Sequence, residues 1–170
     1  MKIFISASSN SRVFIDAIRE VALARGDPPP FFCPDLYRYP EETDLLRKVL
    51  GRLDDSHLVL MDVSMTMCDD QYVVNQGVLI EFGLCIYWRG LQYVYLFCDE
   101  NTDRMQLPPL MPRVDVQQYN SNDPESIRDL VRNVLATFER ELPERERRFQ
   151  RQSFAALNLL GSSATIFPHS

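Results

Sequence analysis

The sequence predicts a doubly wound α/β fold, with about five strands in a mainly parallel sheet and helices on both faces. Two observations carry this expectation. Apolar runs of strand length alternate with segments of helical period as far as about residue 140; this is the pattern of βαβ units, whose right-handed crossovers cover both faces of a parallel sheet. A chain of 170 residues with 45% hydrophobic content is also long enough to bury one core. The strand count fits a flavodoxin-like arrangement, in which ligands bind beyond the carboxyl ends of the strands. One domain is expected over residues 1–142, followed by a charged linker and docking tail over residues 143–170.

Taken in order, Lys2 to Ala7 (KIFISA) reads as the first strand, and it gives way abruptly to the small polar residues SSNSR. A helix is expected from about Ser9–Ser11, with Val13, Phe14, Ala17, Ile18, Val21 and Ala22 on its buried face and Gly26 as its stop. Asp27 to Pro40 holds five prolines and can carry at most a short edge strand. Pro40-Glu41-Glu42 opens a second helix, whose stripe is Leu45, Leu46, Val49, Leu50 and Leu53. His57 to Val63 (HLVLMDV) is a strand, Ser64 to Val74 a polar loop, Asn75 to Arg89 a helix, and Gln92 to Cys98 another strand. Val114 to Tyr119 makes a final short strand, and Asp123 caps a last helix over Pro124 to Arg140.

The helix from Asn75 to Arg89 (NQGVLIEFGLCIYWR) is the stretch around which the chain is organised. From Gly77 to Trp88 every residue is apolar or glycine except Glu81, so the helix is expected to be buried on most of its circumference. A carboxylate in such surroundings costs several kcal/mol unless it is paired or serves a polar cleft. Two readings of Glu81 follow, a structural hydrogen-bonded acid or the wall of a pocket, with Gly83 removing bulk nearby. Tyr87 and Trp88 are expected to continue the packed core, and Tyr72 to be free to stack on a base.

The net charge is −6 and no basic run precedes the tail, which argues against a nucleic-acid duplex or an anionic membrane as partner. Cys33, Cys68, Cys85 and Cys98 are scattered without CxxC spacing, consistent with a reducing cytoplasm. Two histidines, His57 and His169, make no zinc site. No metal or cofactor is called for, no segment is long and apolar enough to span a bilayer, and the N-terminal residues open on a strand pattern and not on a signal peptide. The mixed-charge run ERELPERERRFQR, Glu139 to Arg151, reads as a solvated face or linker, with the apolar SFAALNLL after it as a docking segment.

HLVLMDVS followed by NQGVLIEFGLC resembles the signature of the nucleoside 2-deoxyribosyltransferase superfamily, with its deoxynucleoside monophosphate N-glycosidase relatives and the TIR-like nucleotide-processing domains. The positions that carry the likeness are Asp62, Ser64, Asn75, Gly77, Val78, Glu81 and Gly83, and SASSNSR is similar to the small-residue substrate loop of the same group. The chain departs from the glycosidases in its longer Ser64–Asn75 loop, and its proline-rich segment replaces a clean second βα unit. The resemblance implies cleavage or transfer of an N-glycosidic bond in a nucleoside, nucleotide or dinucleotide, with Glu81 stabilising or trapping the oxocarbenium-like sugar. Asp62, or Asp69 or Asp70, is the candidate to protonate the base or orient the sugar; a strand-end Asp serves equally to bond a loop amide or cap a helix.

Ser6, Ser8, Ser9 and Asn10, with Arg12, form a candidate phosphate or ribose cradle at a helix start, where one serine is explained by capping alone. With Ser64, Asn75 and Gly77 these complete the expected substrate-binding set. The superfamily also implies a homodimer or higher homo-oligomer. Two other classes compete. One is a module that senses a nucleotide without turnover; the other is a phosphoacceptor receiver, disfavoured because serines stand where receivers carry a metal-binding acid pair.

Overall fold

The computed structural model describes residues 1–32, 45–68, 71–88, 90–109, 111 and 115–163. Its elements are β1 (Ile3–Ser6), α1 (Arg12–Ala24), β2 (Phe31–Phe32), α2 (Leu45–Asp55), β3 (Leu58–Asp62), β4 (Met65–Cys68), β5 (Gln71–Val74), α3 (Gln76–Trp88), β6 (Val94–Asp99), β7 (Val116–Tyr119) and α4 (Pro124–Ser163). The chain divides into two compact units, Met1–Asn133 and Val134–Ser170. The division falls inside the expected 1–142 domain.

In the first unit five strands form one sheet in the order β2-β1-β3-β6-β7, every pair parallel. This is the doubly wound α/β fold that the sequence predicts. Alternation along the strands sorts side chains to two faces. Phe4, Val59, Met61 and Leu96 pack with Val49 and Leu53 of α2 and with Val78, Phe82 and Cys85 of α3. On the opposite face Phe14 of α1 lies against Phe97, ring centroids 5.0 Å apart, and stacks on Tyr119 at 5.4 Å. The opening of α4 joins this side, where Arg128 pairs with Glu20 of α1 at 2.8 Å.

α1 stops as its sequence dictates. Gly26 adopts φ 72°, and the Asp27 N–H reaches back to the Ala22 carbonyl at 3.0 Å, a left-handed C-terminal cap that glycine allows at least cost. Its buried stripe is the expected one except for Val13, which is 39% exposed, and Ile15 is buried in addition. At the sheet edge, Phe31 and Phe32 of the two-residue β2 each carry a guanidinium over the ring, Arg52 at 4.4 Å and Arg19 at 5.6 Å.

Three expectations need correction. Ser64 to Val74 is not simply a polar loop: β4 and β5 pair antiparallel as a separate hairpin, from Met65 opposite Val74 to Cys68 opposite Gln71. The mixture of Met, Thr, Gln and Val there has no strict period, so cross-strand pairing decides. α4 does not end near Arg140 but runs through Pro143 to Ser163; the Glu and Arg residues around the proline are good helix formers, and Arg147 Nε bonds the Pro143 carbonyl at 3.1 Å. Lastly, α3 is not buried around most of its circumference: Ile80 is 65% and Tyr87 85% exposed.

Candidate functional site

In this strand order the chain reverses direction across the sheet between β1 and β3, and the crevice beyond their carboxyl ends is where doubly wound folds take ligands. Ser6 ends β1, Asp62 ends β3, and the N-termini of α1 and α3 lie at the same end of the sheet.

Asp62 is buried and fully engaged. One carboxyl oxygen accepts the Ser64 backbone N–H at 3.0 Å and the Ser64 hydroxyl at 2.5 Å; the other accepts the Tyr119 hydroxyl at 3.1 Å. A further bond comes from the Ser11 hydroxyl. Ser11 stands at the N-cap of α1 and makes no side-chain cap bond there, so its hydroxyl ties the helix start to the end of β3. Ser64 Oγ in turn accepts the Asp99 N–H at 2.7 Å and lies 3.2 Å from the Tyr119 hydroxyl. Burial pushes the Asp62 carboxyl above the ordinary aspartate range, against the pull of its hydrogen bonds from Ser11, Ser64 and Tyr119. Burial and the charge of Asp62 push the Tyr119 phenol up as well. Burial also acts to raise Asp99, but hydrogen bonds from Ser121 and Asn101 prevail and hold it below the usual value.

Glu81 takes the other side of the sheet. It is 6% exposed and shares the inward stripe of α3 with Val78, Phe82 and Cys85, which pack on Met61 of β3. Asp62, one residue on, points to the α1 face. The two candidate catalytic acids are therefore not brought together. Ser6 stands in register with Met61 and so belongs to the Glu81 face. Its hydroxyl is fully buried and has no hydrogen-bond partner among the described residues. Buried hydroxyls without partners cost about 1–3 kcal/mol and are rare.

The other expected binding residues are distributed as follows. Ser8 is buried, and its hydroxyl accepts the Asn10 N–H at 3.3 Å; Ser9 and Arg12 are exposed. Asn75 caps α3, its side-chain oxygen accepting from Gly77 N–H at 2.9 Å and Val78 N–H at 3.4 Å. A Cβ at Gly77 would meet that oxygen at 3.1 Å, so the glycine leaves the cap room. Gly83 faces solvent, with nothing within 4 Å of an added Cβ, so it opens no space beside Glu81. Asp69 and Asp70 lie outside the described residues.

Sequence reasoning missed Tyr119, Asp99 and Thr102. Asp99 and the buried Thr102 line a cavity of about 360 Å³ with Asn101, Gln106 and, from the hairpin, Met65 and Tyr72. The same Met65, Tyr72 and Gln106 also border a more open cavity of about 440 Å³ against Gln76 and Leu79 of α3. Glu81 lines neither. Their only signal in the sequence is position, since Asp99 and Tyr119 each end a strand. Among the described residues no three His, Cys, Asp or Glu side chains are grouped to hold a metal ion, and no helix is long and apolar enough to cross a membrane.

The strand order defines a class, a doubly wound α/β domain with a topological switch point between β1 and β3. No protein-family model and no curated protein matches the chain.

Proposed function

We infer that the chain cleaves or transfers the N-glycosidic bond of a nucleoside or nucleotide, with Glu81 as the carboxylate that stabilises or traps the sugar cation. The observation that carries this reading is the placement of two buried polar groups on one sheet face. Glu81 lies on the inward stripe of α3, and the Ser6 hydroxyl, without a hydrogen-bond partner among the described residues, ends β1. A sugar hydroxyl or phosphate oxygen placed beside it would supply that hydrogen bond. The α1 N-terminus supports the same reading: Ser11 is turned to Asp62 and leaves the first-turn N–H groups without a side-chain cap, with Ser8, Ser9 and Arg12 alongside to receive a phosphate or ribose. In this reading Asp62 is a positioning residue that holds Ser64, Tyr119 and the α1 start. The ligand is a small molecule with no cofactor, nucleic-acid duplex or membrane involved, and the chain acts in the cytoplasm as a homo-oligomer.

A second reading is a module that senses a nucleotide without turnover, or a TIR-like domain that cleaves NAD. What favours sensing is the 360 Å³ cavity, where Tyr72 offers a stacking face and Asp99, Asn101 and Thr102 offer polar groups without Glu81. Incubation with a panel of nucleosides, nucleotides and NAD, followed by chromatography for free base, tests both readings. Glu81→Gln is expected to reduce base release by about 10²-fold or more while ligand binding persists. Unchanged release, or no release from any substrate with binding intact, refutes the glycosidic reading.

A further inference from the structure

The 360 Å³ cavity beyond the carboxyl end of β6 is built from two segments remote in sequence. The turn after β6 supplies Asp99, Asn101, Thr102, Asp103 and Gln106, and the β4–β5 hairpin supplies Met65 and Tyr72. One bond fastens the two together: the buried Thr102 hydroxyl accepts the Met65 N–H at 3.3 Å. The volume falls at the small end of the range that small-molecule sites occupy, about 300–1,000 Å³. Tyr72 is 59% exposed, and among the described residues its ring has no aromatic partner. A bare ring at the mouth of a polar hollow is a stacking platform.

The charge of the lining is one-sided. Among the described residues that form the wall Asp99 and Asp103 are acidic and none is basic; Arg104 comes next in the chain but is not part of it. Asp99 is ionised at neutral pH, since its bonds from Ser121 and Asn101 hold it below the usual value against the opposing effect of burial. An anion brought into the hollow meets like charge there, which is how sites reject wrong ligands. The hydrogen-bonding groups point the same way. The Asn101 amide nitrogen donates to Asp99 at 2.6 Å, leaving the amide oxygen, and one Asp103 carboxyl oxygen accepts the Met105 N–H at 3.0 Å, leaving the other. Acceptors predominate, so the occupant that fits them brings N–H groups.

We propose that this cavity binds a phosphate-free nucleoside or nucleobase, a planar amino-bearing heterocycle without negative charge that stacks on Tyr72 and gives its N–H groups to Asp103 and Asn101. Met65 and Tyr72 supply the apolar contact, and Thr102 and Gln106 supply donors for the ring nitrogens. The proposal deepens the sensing reading above and rests on it for the ligand's being of nucleoside type. It alters that reading in one respect, since phosphate is the group that the two carboxylates turn away. It is separate from the glycosidic reading, whose Glu81 lines no part of this cavity.

Isothermal titration of the full chain carrying Glu81→Gln, so that no ligand is consumed, compares molecules that share one ring and differ in charge. Adenosine is neutral, adenosine 5′-monophosphate carries about −2, and 5′-methylthioadenosine is neutral with a 5′ substituent that controls for size. The monophosphate is expected to bind at least about tenfold more weakly than adenosine, and the methylthio compound within about threefold of it. Adenine, run alongside, supports the base as the recognised unit if it binds like adenosine and the nucleoside if it binds more weakly. Asp103→Asn removes one charge but keeps an acceptor for the Met105 N–H, and is expected to narrow the gap between adenosine and the monophosphate at least about threefold. Tyr72→Ser, at an exposed position, is expected to weaken adenosine at least about fivefold. Hydrogen exchange locates the ligand: adenosine is expected to slow exchange across Met65–Val74. A monophosphate that slows exchange only at Ser8–Arg12, with adenosine at the hairpin, supports two separate sites. A monophosphate that binds as tightly as adenosine with the same Tyr72 dependence overturns the proposal and leaves the sensing reading standing. No Tyr72-dependent binding of any of these ligands at about 1 mM overturns both.

Discussion

Replacing Ser64 by alanine probes the hub at the end of β3. Its hydroxyl donates to the buried Asp62 carboxyl at 2.5 Å and accepts the Asp99 N–H at 2.7 Å. A bond to a charged group is worth about 1.5–3 kcal/mol and a neutral one about 1, so Ser64→Ala is expected to cost about 2–4 kcal/mol. At about 2–4 °C per kcal/mol for a chain of this size, the melting temperature falls by about 4–16 °C. Urea unfolding followed by circular dichroism measures the free energy directly, as a shift in midpoint at constant slope. The loss should also depend on pH, with a definite sign. Asp62 has a folded pKa above its unfolded value, so its contribution to stability is fully present at low pH and is lost as pH rises through the folded pKa. Removing the Ser64 donor drives that pKa higher still, and the deficit of the variant therefore grows from acid towards neutral pH. A cost below about 0.5 kcal/mol, in the range of ordinary surface substitutions, or a deficit that is flat with pH, refutes the hub. A change confined to substrate KM, with stability intact, would instead make the Ser64 hydroxyl a ligand-binding group.

Two further outcomes are expected. Asn75→Ala removes the α3 cap and should destabilise by about 1 kcal/mol in chemical denaturation; a change within about 0.2 kcal/mol would mean that the 2.9 Å bond to Gly77 contributes nothing. Cys85 and Cys98 are buried thiols, and burial pushes the Cys98 thiol up to about 11. In native protein at neutral pH both should therefore resist a thiol reagent until global unfolding, as read by peptide mass mapping. Labelling of Cys98 within seconds would place it at the surface.

Much of the layered architecture was legible because it depends on period. The apolar stripe of α1, the Gly26 stop and the Asn75 cap are all short-range signals, and the alternation of strands with helices implies the parallel sheet. What could not be read was phase. Whether Asp62 shares a face with Glu81 depends on the parity of β3, where a one-residue slip reverses the answer, and on the rotation of α3 about its axis, where it turns a side chain by about 100°. In the structure Met61 meets α3 and Asp62 meets Tyr119 and Ser11. The partners of Asp62 come from β7 and the α1 start, both remote in sequence. The hairpin of β4 and β5 was hidden because its residues follow neither period. The α3 stripe was misjudged because a helix whose outer face lacks charges reads as buried on that face too, and Tyr87 falls there.

The brevity of β2 has a bearing on how copies of this protein meet. A parallel sheet ends in a row of backbone donors and acceptors able to template another strand, and long bare edges invite runaway stacking. Among the described residues that margin is two residues wide, and positively charged caps from Arg19 and Arg52 sit over its rings. Growth by strand addition on this side is discouraged by geometry and charge alike.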